Sequence, residues 1–189
     1  MNRLHLHILT ETSSTPFESR GPYTKSDNST RAYHLSMPRT DTASRFIAAP
    51  VERVYDALID PTALEAWLPP DGMIGRFERF DLRPGGSYRL VLSYVDATGE
   101  PGKATSDSDV VEARFIELVR DARVVQNVDF ISDDPAYGGT MTMTWGVTTV
   151  DDGTLVTITA EDVPDGISAE DHAVGLASSL ANLASYLGG

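Results

Sequence analysis

The chain has 189 residues, of which 41% are hydrophobic, which suits one domain with a buried core plus an extension. Fifteen Lys and Arg against 28 Asp and Glu leave a net charge of −13, a surface that repels phosphate backbones and anionic headgroups, so no nucleic-acid partner is expected. The absence of cysteine excludes disulfides, thiolate nucleophiles and Cys-ligated metal, and no apolar run approaches the roughly 20 residues that cross a bilayer.

The N-terminus reads "MNRLHLHILTETSS". Its apolar part is too short and too interrupted for a secretory segment, so a cytoplasmic protein without membrane insertion is expected. Residues 1–40, rich in Ser, Thr, Pro and Gly and without a period, are expected to be a flexible polar extension. They carry His5, His7 and His34. "HLH" reads either as a metal site or as a frayed tail, and the tail is the expectation, with no metal or other cofactor. Met37, followed by "PRTDTASRFIAAP", makes a natural start, so the first 36 residues read either as a dispensable extension or as an over-called start site. The folded domain is expected over 41–189.

From Thr42 the pattern sharpens. "ASRFIA" is a short strand. In "APVERVYDALID", Val51, Val54, Tyr55 and Leu58 fall at i, i+3, i+4 and i+7, one face of a helix, with Pro50 in its first turn. Asp60 caps a second short helix that starts at Pro61 and gathers Leu64, Trp67 and Leu68 on one side. Strands follow at about 73–82, 86–95, 108–119, 123–131, 139–150 and 154–162, separated by "RPGG", "DATGEPG", "RDAR", "SDDPAYGG" and "DDGT". Those spacings are hairpin spacings, so an antiparallel meander is expected. Gly85, Gly86, Gly138 and Gly139 are the expected bends. The last element is a helix in "SAEDHAVGLASSLANLASYLGG". Ala173, Leu176, Leu180, Leu183 and Leu187 recur every three or four residues, Ser168 and Asp171 form a capping box, and Gly188 ends it. Strand, two short helices, six strands and a long helix make an α+β layer, an antiparallel sheet with helices on one face.

This order resembles the START-like "helix-grip" superfamily, also called SRPBCC. Within it the chain is most similar to bacterial proteins related to the C-terminal domain of the activator of the ninety-kilodalton heat shock protein ATPase. "APVERVYDAL", "WLPPDGM", "FERFDLRPGGSYR", "RFIELVRDARVV", "DFISDDPAYGGTMTMTW" and "EDHAVGLASSLANLASYL" carry the resemblance across about residues 43–187. It implies a curved antiparallel sheet wrapped around the long C-terminal helix, and it says little about activity. Many relatives carry Trp or Cys after the glycine of the last helix, where this chain has Leu176 after Gly175. "VRDAR" lacks the proline that relatives often have there.

The alternation in "TMTMTWGV" puts Met141, Met143, Trp145 and Val147 on one strand face. That face is either filled core or the wall of a cavity. Tyr88, Leu90, Leu92 and Tyr94 form the matching face of one other strand, and Val156, Ile158 and Ala160 that of another. In "VVQNVDF" the phase is open: Val124, Gln126, Val128 and Phe130 compete with Val125, Asn127 and Asp129. The mixture of adaptable methionines with Tyr and Trp, apolar bodies with polar tips, suits a ligand cavity. His172, the one histidine of the domain, is the natural proton carrier near neutral pH. It reads either as a site residue or as a surface histidine beside Glu170 and Asp171. No P-loop lysine, dinucleotide fingerprint or G-x-S-x-G elbow is present. The carboxylate clusters "DATGEPG", "SDSD" and "SDDP" read as solvated turns rather than calcium loops.

The leading expectation is a carrier or sensor that binds a small apolar or amphipathic molecule between sheet and helix. Its site would comprise Trp67, Tyr88, Leu90, Tyr94, Asp129, Met141, Met143, Trp145, His172 and Leu176. The alternative is a cyclase, aromatase or hydrolase-like enzyme using the same cavity. It requires at least two of His172, Tyr88, Tyr94 and Asp129 to converge. A protein-binding module, with a chaperone-like partner, ranks third.

Overall fold

The computed structural model describes residues 38–95, 108–130 and 136–188. Within them, β1 (Asp41–Ile47) leads into α1 (Val51–Ile59) and α2 (Pro61–Trp67). Then come β2 (Met73–Phe80), β3 (Ser87–Tyr94), β4 (Ser108–Val119), β5 (Arg123–Phe130), β6 (Gly139–Val150) and β7 (Gly153–Glu161), and α3 (Ala169–Leu187) closes the chain. The strands form one antiparallel sheet in the order β1-β7-β6-β5-β4-β3-β2. The first strand therefore pairs with the last, from Asp41↔Ala160 to Ile47↔Thr154. The sheet curves around α3, the α+β helix-grip arrangement. The three N-terminal histidines and the turns at 96–102 and 132–135 lie outside the described residues, and "SDSD" lies there in part.

Local chemistry explains the helix ends. The Asp60 carboxylate accepts from the Ala63 amide at 2.8 Å, and Pro61 opens α2, where a missing N–H costs nothing. Ser168 Oγ accepts from the Asp171 amide at 3.0 Å and donates to its carboxylate at 2.7 Å. Gly188 takes the left-handed conformation, φ 86°, that ends a helix without a Cβ penalty. Pro50 sits one position earlier than expected, as the extended residue before α1 rather than in its first turn.

Two sequence expectations need correction. Ala173 is exposed, and His172 takes the inward place one residue before it. His172, Leu176 and Leu180 follow one another at i, i+4 and i+8, which keeps them over the sheet. The ladder irregularities also lie away from glycine, between Phe77 and Arg79 in β2 and between Phe115 and Glu117 in β4. Each leaves one residue unpaired and bends its strand. Gly85, φ 80°, instead serves the β2–β3 turn.

The core lies between the inner sheet face and the helices. Val156, Ile158 and Ala160 of β7 are fully buried, as are Phe115, Leu180 and Leu183. In β5 the phase is settled: Val124, Gln126 and Val128 face inward, while Asp129 is exposed. The register aligns Gln126 with Met143 and Val124 with Trp145 across the β5–β6 ladder. Among the described residues no helix is long and apolar enough to cross a membrane.

Candidate functional site

The inner face of β6 is partly core and partly cavity wall. Met141 and Trp145 are buried, and half-buried Met143 between them borders a cavity of about 150 Å³ that α3 roofs. From β3 come Tyr88, Leu90 and Leu92, from β5 Gln126 and Val128, and from α3 His172, Gly175, Leu176 and Ser179. Most of this lining is apolar, with a few polar groups converging on it, as in small-molecule sites.

The polar groups are tied down. The Tyr88 hydroxyl is hydrogen-bonded to Gln126, and burial pushes it up to about 12, the hydrogen bond opposing that rise in part. It is therefore a neutral phenol at any physiological pH. His172 is 4% exposed and shares a 2.7 Å hydrogen bond between Nδ1 and Asp41 Oδ2. Arg39 reaches the same carboxylate oxygen, Nε at 3.1 Å and Nη2 at 3.0 Å, and donates from Nη1 to the Ile167 carbonyl at 2.6 Å. An Arg39–Asp41–His172 chain thus ties β1 to the first turn of α3. The reading of His172 as a surface histidine beside Glu170 and Asp171 is corrected: the ring is buried, Asp171 is used by Ser168 and Glu170 is exposed. A carboxylate only accepts, so Nδ1 carries the proton of this bond and Nε2 is the nitrogen left to the cavity side.

Seven of the ten expected site residues line the cavity: Tyr88, Leu90, Met141, Met143, Trp145, His172 and Leu176. Three do not. Trp67 stands behind Trp145, ring centroids 5.5 Å apart and edge to face, with its Nε1 donating to the Ala57 carbonyl at 2.9 Å. Tyr94 has the inward phase but ends β3 past the cavity and is 39% exposed. Asp129 points outward, where it accepts from Thr140 Oγ1 at 2.6 Å and faces Arg114 at 3.8 Å. Asp41 and Arg39 escaped sequence reasoning altogether. Asp41 and His172 lie 131 residues apart, and no local pattern links them.

A larger groove, about 710 Å³, opens beside α1, α2 and the end of α3. Arg53, Asp56, Phe80, Leu82 and Tyr186 border it. It is the more open of the two spaces and gathers no buried polar group, so the cavity under α3 is the better site. Among the described residues no three His, Asp or Glu side chains gather as metal ligands.

Comparison with known proteins agrees with this architecture. The profile of the family described as Activator of Hsp90 ATPase homolog 1-like protein matches residues 48–188. A crystal structure of a Chromobacterium violaceum protein is 32% identical, with a TM-score of 0.66, covering 78% of this chain and 96% of that one. CalU16 from Micromonospora echinospora shares the fold at 15% identity and a TM-score of 0.55, over 79% of this chain and 76% of that one. DynU16, a protein of the dynemicin biosynthetic locus, does so at 18% identity and a TM-score of 0.57, over 79% of this chain and 47% of that one. Among curated proteins none matches at a significant level. A profile that covers three quarters of the chain, a relative matched over nearly its whole length and a sheet that grips its C-terminal helix place this chain in the Activator of Hsp90 ATPase homolog 1-like family of the SRPBCC superfamily.

Proposed function

We propose that the protein is a cytoplasmic carrier or sensor that binds a small apolar or amphipathic molecule in the cavity between the sheet and α3. The observation that carries this reading is the lining itself. Met141, Met143, Trp145 and Leu176 supply an apolar wall, and Tyr88, Gln126 and His172, all buried, converge on it. Evolving a solid core would not call for three buried polar side chains around a void, since each needs a partner that an apolar residue does not. At about 150 Å³ the space admits a single ring. Longer molecules need α3 to move away from the sheet.

Ligand entry should alter the fluorescence of Trp145 and, through the edge-to-face contact, of Trp67. At a hundred times its Kd a ligand should add about 2.7 kcal/mol of stability. A library of single-ring aromatics, fatty acids, sterols, flavonoids and polyketides, read by fluorescence and thermal shift, tests the reading. Silence from every compound would remove it.

The second reading, an enzyme working in the same cavity, has one observation in its favour. Two of its four candidate proton carriers, Tyr88 and His172, do line one space. The similar DynU16 belongs to a biosynthetic locus, which fits such a role. Turnover of a bound polyketide-like compound, lost on His172→Ala, would move the assignment from carrier to catalyst.

A further inference from the structure

Resting on that reading of the cavity, we infer that its preferred occupant is a neutral single-ring phenol whose hydroxyl donates to Nε2 of His172. Size sets the first limit. A cavity of about 150 Å³ holds a benzene-sized molecule and little more. The lining favours an aromatic one: Met141 and Met143 offer thioethers to a ring, and Trp145 offers an aromatic surface.

Charge and hydrogen bonding set the rest. The Asp41 carboxylate is already balanced by Arg39. In its neutral form the imidazole places its Nδ1–H on Asp41 and a lone pair on Nε2. Among the described residues nothing donates to Nε2, although the ring is 4% exposed and lines the cavity. An apolar occupant would exclude water from that acceptor and offer no hydrogen bond in its place, which costs free energy. A carboxylate would bring a second negative charge beside Asp41, and an ammonium would lose its hydration in an apolar space. A phenol brings one good neutral donor on a flat ring. The Tyr88 hydroxyl is already hydrogen-bonded to Gln126, so the donor asked of an occupant is the one for Nε2 of His172.

The full chain is titrated with benzene, anisole and phenol by calorimetry and tryptophan fluorescence. Phenol is expected to bind at least tenfold more tightly than benzene or anisole, since anisole keeps the oxygen and loses the donor. In His172→Phe the preference should vanish while benzene binding persists. Asp41→Ala should weaken it, because nothing then holds the proton on Nδ1. If benzene binds and phenol binds no more tightly, the phenol inference is overturned and the cavity reading stands. If phenol keeps its advantage in His172→Phe, the inference is overturned as well. If none of the three binds, the phenol inference is overturned, and the wider library decides the cavity reading. Should His172→Phe fail to fold, the comparison of phenol with anisole in the unaltered protein still decides the matter.

Discussion

Leu176→Trp tests whether the space under α3 is open. Leu176 is 4% exposed, borders the cavity and stands one residue after Gly175, which lines it too. Tryptophan adds about six heavy atoms to the leucine side chain, roughly one benzene ring, which a void of this size can hold. Lining atoms of a cavity forgo contacts worth about 24 cal/mol per Å³, so about 150 Å³ represents at most about 3–4 kcal/mol of unrealised packing. A tryptophan that fills about half of it should raise stability by up to about 1–2 kcal/mol, less whatever the polar lining gains from water. Urea unfolding followed by circular dichroism measures the change, and titration with benzene and phenol measures the loss of binding. The expected result is unchanged or raised stability with binding abolished. A loss of about 1–3 kcal/mol, the usual cost of overpacking, with no effect on binding, would refute the argument. The Met/Trp face would then be solid core and the ligand site would lie elsewhere.

Two further outcomes follow from single groups. A tyrosine in the unfolded chain ionises near 10, whereas Tyr88 in the fold is held protonated up to about 12 by burial. The folded state therefore binds the extra proton between those values. The stability that neutral Tyr88 supports is whole below pH 10 and is lost as pH rises through 12, on the order of 2–3 kcal/mol. The difference in unfolding free energy between the unaltered protein and Tyr88→Phe, followed from pH 9 to 12, should shrink accordingly, and a flat difference would contradict the burial argument. Thr154 is fully buried and donates from Oγ1 to the Ala49 carbonyl at 2.8 Å. Thr154→Val keeps the shape and orphans that carbonyl, so urea titration should register a loss of about 1–3 kcal/mol.

What was legible in the sequence is what short-range physics controls. Period-2 alternation located all seven strands to within about two residues, and Asp60, Pro61, Ser168 and Gly188 marked helix ends because capping acts within three or four residues. The inward face of β6 and β7 followed for the same reason. Where each face mixed apolar and polar residues, as in "VVQNVDF", the phase depended on which side met the helix, and packing turned Gln126 inward and Asp129 outward. Tyr94 obeyed its phase and still missed the cavity, because phase says which face a residue joins and not how far along the strand the helix covers it. Ala173 gave way to His172 because a stripe of repeats leaves the rotation of a helix uncertain by about one residue, and the sheet decides it. The deepest such decision is the Arg39–Asp41–His172 chain. It exists because the first strand pairs with the last, which brings residue 41 under the start of α3, and no interaction between neighbours in sequence encodes that meeting.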